Sequence, residues 1–256
     1  MTKTKQSIVD FPFNHDASLK TFFVSKQNTE SIKALNAFLS NNEHEIFLND
    51  EASSGKTYIL HALCNDFRMS KGTDAFYVSL KDFKKLQPEL LDGLANFPLI
   101  CIDDVNFISG QSDWEVALFN LINEVNQKNT KIILSGRAND LILFPDLLSR
   151  IKKMNRLELR GVLDEEILTA SQTIIQNLEL HISERSLKFL ILRSKRDINE
   201  IYRNLVKLDK ASIEKKRIIS IDLIKSDKTP FINGDGEHRR DMVHVDDVVS
   251  ANLFAM

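Results

Sequence analysis

The 256-residue sequence predicts an α/β protein: a parallel sheet with helices on both faces, followed by a small all-α domain. Three observations lead there. Short apolar runs alternate with helical periodicity as far as Gly136. The triplet Gly55-Lys56-Thr57 opens one of those helices. The apolar run "LICIDDV" ends in two aspartates, at the end of a strand where open α/β sheets collect their ligands.

The elements follow in order. Residues 1 to 25 are irregular and rich in Phe, and are expected to be a flexible N-terminal segment. From Thr29, Ile32, Leu35 and Leu39 recur at helical spacing. "EIFLN" (45–49) reads as a strand, and residues 56 to about 69 as a helix with Ile59, Leu60, Leu63 and Phe67 on one face. "AFYVSL" (75–80) is a strand, and a polar helix is expected around 81–94. After the strand "PLICIDDV" (98–105), Ser112-Asp113-Trp114-Glu115 reads as a capping box that opens a helix to about Gln127. "KIILSG" (131–136) is a further buried strand. Three helices are expected at 164–177, 184–193 and 196–211, with Asp164, Ser183 and Ser194 as candidate caps. The expected organisation is an N-terminal segment (1–25), a nucleotide-binding α/β domain (26–161), a helical lid (162–226) and a dissimilar tail (227–256).

Composition narrows the class. A hydrophobic content of 43% and a charged content of 27% describe an ordinary globular chain. No apolar run is long enough to span a bilayer, and "MTKTKQSIVDFPF" carries no signal-peptide core, so no membrane association and a cytoplasmic location are expected. A net charge of −2 argues against a dominant nucleic-acid surface. Cys64 and Cys101 lie in apolar segments and read as buried thiols.

The chemistry centres on "NDEASSGKTYIL" (49–60). A phosphate loop needs inward-pointing backbone N–H groups, a lysine for phosphate and a hydroxyl for magnesium. Gly55, Lys56 and Thr57 supply its end, but Asp50 stands where the first glycine of the Walker A pattern belongs, and Ser53 fills a second place that glycine suits. The loop is therefore either a weak site for ADP or ATP with magnesium, or the shell of one. Asp103 can hold that magnesium together with Thr57, and Asp104 can orient water. Arg150 in "PDLLSRIKK" and Arg196 in "RSKRDINEIYRNL" are placed to meet phosphate oxygens through a fixed fork of donors, Arg196 on the chain's own nucleotide and Arg150 on a neighbour's.

Together "TFFVSKQNTESIKAL", "GKTYILHAL", "LICIDDVNFISG", "ILSGRAND", "DLLSRI" and "SKRDINEIYRNLVKLD" resemble the AAA+ P-loop NTPase module of the DnaA family over about residues 20 to 225. "GQSDWEVALFNLINEV" and "PDLLSR", and the lack of a DNA-reading helix-turn-helix after them, are similar to the Hda-like regulatory branch of that family. The resemblance implies a regulator that docks on the DNA polymerase III sliding clamp, touches DNA only indirectly and stimulates hydrolysis of ATP held by DnaA. It assigns Arg150 as an arginine finger acting in trans and Arg196 as the sensor 2 residue. It gives Lys56, Thr57, Asp103 and Asp104 the Walker roles, and aligns the sensor 1 acid with Gly136, so that role is lost. It also allows a homo-oligomer. "QSIVDF" (6–11) fits a clamp-binding peptide, with Gln6 as the amide and Val9 and Phe11 as the apolar pair. On this reading the chain is not an enzyme by itself. The alternative is an autonomous AAA+ ATPase acting on nucleic acid, as a helicase loader does.

Residues 228 to 256 resemble something else. Gly234, Asp235, Gly236, Arg240, Asp241, His244, Val245 and Asp247 fit a segment of the extended short-chain dehydrogenases that act as nucleotide-sugar epimerases. A Gly-rich dinucleotide loop after a first strand is missing from the sequence, so an epimerase is the remote reading and a joined fragment the expected one.

Overall fold

The computed structural model describes residues 14–50, 54–128, 130–141, 143–215 and 217–226, with the backbone alone for Asp50, Lys215 and Ser226. Its first part is a five-stranded sheet in the order β2-β3-β4-β1-β5, every neighbouring pair parallel. The strands are β1 (Glu45–Asp50), β2 (Ala75–Ser79), β3 (Leu99–Asp103), β4 (Lys131–Gly136) and β5 (Asn155–Leu159). Around them run α1 (Thr29–Phe38), α2 (Lys56–Lys71), α3 (Ser112–Lys128) and α4 (Pro145–Lys153).

Period-two burial divides the helices between the two faces. In β3, Leu99 and Cys101 meet Leu35 and Phe38 of α1 and Leu60 and Leu63 of α2 in one core. Ile100 and Ile102 point the other way, into a core with Leu118, Ile122 and Val125 of α3 and Leu147 and Ile151 of α4. A strand apolar on both faces belongs in the middle of a parallel sheet, as "LICID" does. Cys64 and Cys101 are buried thiols on the α2 face.

Three helices and a short fourth follow: α5 (Ile167–Asn177), α6 (Glu184–Arg193), α7 (Ile198–Lys215) and α8 (Ile221–Ser226). They enclose a third core that includes Leu187, Leu190, Ile201, Leu205, Leu208 and Leu223. Ser183 caps α6, its hydroxyl accepting from the Ser186 N–H at 3.2 Å.

The fold departs from four sequence expectations and adds one strand that the sequence did not announce. No helix spans 81–94; short 3-10 turns occupy Phe83–Lys85, Pro88–Leu91 and Leu94–Asn96. Pro88 cannot continue a helix and Gly93 takes a left-handed φ of 76°, while Leu91 and Leu94 still reach the α3-side core. Arg196 does not open a helix. Lys195 and Arg196 both hold positive φ, and α7 starts at Ile198 under a cap from Asp197, whose carboxylate accepts from the Glu200 N–H at 2.8 Å. The capping box at Ser112 does not form: the Glu115 side chain accepts from the Gly110 N–H at 2.7 Å and the Phe144 N–H at 2.8 Å instead. β5 is absent from the sequence reading because Arg156 and Glu158 interrupt a short run on an edge strand. Residues 14–25 do not hang free: Ala17 and Leu19 are buried, and the Asn65 amide on α2 donates to the carbonyls of Asn14, His15 and Ala17.

Two buried polar groups generate predictions. Glu115 ties the turn before α3 to the start of α4. Glu115→Ala would strand two N–H donors and should lower unfolding free energy by about 3 kcal/mol, Glu115→Gln by about half, read from urea titrations. His61 on α2 is 5% exposed, and burial lowers its pKa to about 4. It is therefore neutral in the fold while the unfolded chain takes up a proton below about pH 6.5. Stability should hold above that pH and fall by roughly 3 kcal/mol as pH drops to 4. His61→Phe should flatten this part of the pH–stability curve; an unchanged slope would place the titration elsewhere.

Candidate functional site

The candidate site lies where β1 and β3 end, with the end of β4 between them. The alternation that buries Cys101 on the α2 face puts Asp103 on that face too. Gly55 precedes α2 with φ 83°, and a Cβ there would stand 3.1 Å from the Phe22 ring. Glycine suits the place by its backbone conformation, and a side chain there would also crowd the Phe22 ring. Residues 51–53 and the Asp50 side chain lie outside the described residues.

Lys56 and Thr57 start α2 and reach the two aspartates. The Lys56 ammonium is 2.7 Å from Asp104 Oδ1, and both side chains are largely buried. The Thr57 hydroxyl donates to Asp103 Oδ2 at 2.7 Å. Asp103 is wholly buried and also accepts from the Ser135 hydroxyl of β4 through Oδ1 and from the Tyr77 hydroxyl of β2 through Oδ2, the latter at 3.3 Å. Burial, then the Asp104 charge, push the Asp103 carboxyl above its ordinary range, while the Ser135 and Thr57 hydroxyls and the Lys56 charge pull it down. Burial, then the Asp103 charge, push the Tyr77 phenol well above its usual value, so it carries its proton and donates. Asp104 takes a left-handed φ of 63°, its N–H reaching Ser135 Oγ and its Oδ2 accepting from the Ser79 hydroxyl, both at 3.3 Å.

This set fits a magnesium–nucleotide. A buried carboxylate beside a threonine hydroxyl is a hard oxygen pair, and the adjacent lysine and helix N-terminus suit phosphate. Among the described residues no group of three or more His, Cys, Asp and Glu gathers as a metal cage of its own. The nucleotide's phosphates would have to supply the remaining oxygens.

The arginines lie apart from this cluster. Arg150, in the last turn of α4, is exposed, with its guanidinium 6.0 Å from the centre of the Phe119 ring. Phe119 in turn meets Phe144 at 5.5 Å. Arg196 is exposed and stands 3.5 Å from Asp164 Oδ2. A side chain at Gly136 would be crowded, its Cβ 3.0 Å from Asn106 Oδ1 and 3.1 Å from Val105 Cγ2, so those neighbours would have to shift to admit an acid. Gln6, Val9 and Phe11 lie outside the described residues.

Sequence reasoning named Gly55, Lys56, Thr57, Asp103 and Asp104, and the fold brings them together. It missed Tyr77, Ser79 and Ser135. The available signal was parity: Tyr77 and Ser79 are the inward hydroxyls of the strand beside β3.

Comparison with known proteins agrees with this architecture. Residues 164–227 match the family model described as "Hda, lid domain", and residues 209–256 that of the NAD dependent epimerase/dehydratase family. A Haemophilus influenzae protein described as uncharacterized is 28% identical over 215 residues, covering 82% of this chain and 92% of its own. Domain III of the Thermotoga maritima replication initiation protein DnaA superposes with a TM-score of 0.72 at 16% identity, over 84% of this chain and 96% of that one. AMPPCP-bound DnaA from Aquifex aeolicus gives 0.66 at 20% identity, over 84% and 69%. The Thermotoga maritima RuvB Holliday junction branch migration motor gives 0.59 at 16%, over 83% and 72%. The chain thus has the parallel-sheet fold of DnaA domain III, with the Lys56, Thr57, Asp103 and Asp104 cluster at the C-terminal edge of the sheet, and its residues 164–227 are similar to the Hda lid.

Proposed function

We propose that this chain is an Hda-like regulator of replication initiation in the cytoplasm, which docks on the sliding clamp and offers Arg150 to ATP held by DnaA. The observation that carries the reading is the setting of Arg150. It is exposed on a helix packed against α3, its guanidinium lies by an aromatic ring, and it forms no ion pair with an acid of the described residues. An arginine so presented is available to a phosphate outside its own fold. Gln6, Val9 and Phe11 would hold the clamp and so bring the regulator to DNA.

The chain's own site takes ADP or ATP with magnesium. Lys56 would meet phosphate oxygens, and Thr57 and Asp103 would hold the metal, which neutralises phosphate charge when bound. Lys56 must leave Asp104 to do so, and an ammonium engaged at 2.7 Å gives up that ion pair only for a comparable anion. Asp104 is thereby occupied with Lys56 and Ser79. Its engagement favours a bound nucleotide that serves as a structural element over one that is turned over. Arg196, held by Asp164 at the lid surface, would have to swing to act as sensor 2. The epimerase-like segment favours no second function: in its described part, Ala211, Ile219, Leu223 and Ile224 are buried in the helical core.

Two measurements test this. In a reconstitution with ATP-loaded DnaA and clamp on DNA, Arg150→Ala should cut stimulated hydrolysis by about 10³-fold, with its own unfolding curve unchanged. Gln6→Ala or Phe11→Ala should raise the clamp concentration needed while sparing the maximal rate. Full stimulation by Arg150→Ala would sink the trans role. In calorimetry the chain should bind ADP more tightly than ATP, because Asp50 and Asp104 both repel the additional phosphate, and Lys56→Ala should abolish both; tighter ATP binding contradicts this account.

A further inference from the structure

We propose that Tyr77 is a positioning residue for Asp103, fixing which carboxylate oxygen is offered to the magnesium of a bound nucleotide. The inference rests on the reading of Asp103 and Thr57 as the groups that hold that metal.

A carboxylate free to turn about its Cβ–Cγ bond can present either oxygen, and donors on both oxygens stop it turning. Asp103 has Ser135 on Oδ1, and Thr57 and Tyr77 on Oδ2. Thr57 is itself one of the groups that would face the metal. Of the two donors on Oδ2, Tyr77 is the one that stays outside that shell. Ser135 and Tyr77 therefore hold the carboxylate from the two strands that flank β3, independently of the phosphate loop.

The strand register makes a tyrosine suitable here. Tyr77 pairs with Cys101, so the Tyr77 side chain stands on the α2 face two residues before Asp103, and a phenol is long enough to lean along the strand and reach it. A serine at that place would be too short. The ring is also clamped. It is 9% exposed, and the His61 ring meets it edge-on with centroids 4.2 Å apart. His61 comes from α2, the helix that carries Lys56 and Thr57, so the clamp and the phosphate-binding groups share one element. Ser79, two residues further along the same strand, meets Asp104 in the same manner. β2 thus supplies a hydroxyl to each acid while contributing nothing to the Walker motifs.

The test is calorimetry of the full chain with ADP, once with magnesium and once with EDTA. Tyr77→Phe removes one oxygen and keeps the ring against His61. It should weaken magnesium–ADP binding about tenfold and leave metal-free ADP binding within about twofold, the size expected when a partner of a metal ligand is lost. Asp103→Asn should remove the gain from magnesium, and adding Tyr77→Phe to it should change nothing more. The inference is overturned if Tyr77→Phe keeps the wild-type gain from magnesium, or if it loses affinity equally with and without metal, which would mean a structural role only. A wild-type chain that binds ADP with no gain from magnesium would overturn the reading of Asp103 itself, and this inference with it. A normal gain in the wild type that survives in Tyr77→Phe removes this inference alone.

Discussion

A carboxylate buried at the end of an apolar strand costs several kcal/mol unless its oxygens are met by donors. Asp103 is in that position, and its donors come from three elements: Thr57 from α2, Ser135 from β4 and Tyr77 from β2. Each bond requires its element to lie in one register against β3. The pairing of Ser79 with Asp103, and of Leu99 through Ile102 with Lys131 through Leu134, is the arrangement that delivers those hydroxyls. A shift by one residue would turn every side chain of a strand to the other face and leave the acid without partners. The apolar cores on either side fix the same register independently, since Ile100 and Ile102 must face α3 while Leu99 and Cys101 face α2. Packing and polar satisfaction therefore select the same alignment, and the cluster is held in place by the sheet that it terminates.

The N-terminal stretch extends this constraint to the lid. Leu19 N–H and the Ser18 hydroxyl donate to Asp66 on α2 at 3.0 and 2.9 Å. A few residues on, the Ser25 hydroxyl and Lys26 N–H donate to Glu166, just before α5, at 2.6 and 3.0 Å. The Ser25 bond is the largest influence holding the Glu166 carboxyl below its ordinary range. Asn28 closes the strap by donating to the Arg160 carbonyl and accepting from the Arg160 N–H. The Asn177 amide on α5 donates to the Thr21 carbonyl at 2.6 Å. One segment thus bonds both to the helix that begins with Lys56 and to the helices of the lid.

The legible parts of the sequence were those governed by short-range rules. Strands buried on both faces announce themselves as apolar runs, and Gly55-Lys56-Thr57 announces a helix start beside a phosphate site. The illegible parts were decided by distant partners. Glu115 looks like half of a capping box until Phe144, 29 residues away, takes its second oxygen. "NRLEL" looks polar because its strand is at the sheet edge, paired only with β1. Residues 14–25 look loose because they contain no periodicity, yet their bonds go to α2, some fifty residues on. Tyr77 and Ser79 share the parity that puts them on one face, but only the pairing of β2 with β3 shows that their hydroxyls meet acids on the next strand.

The two faces of the sheet also divide two kinds of chemistry. Lys56, Thr57, Tyr77 and Asp103 belong to the α2 side, whereas Arg150 is carried by α4, whose Leu147 and Ile151 pack into the core of the opposite face. Gly136 marks the divide: it offers no side chain after Ser135, and one there would crowd Val105 and Asn106. Arg150 is thus presented outward on one layer, while the Lys56–Asp104 pair closes the end of the other. Arg150 takes its place from α4 and the neighbouring Phe119 ring, which in turn meets Phe144, and from no residue of the Lys56–Asp104 cluster.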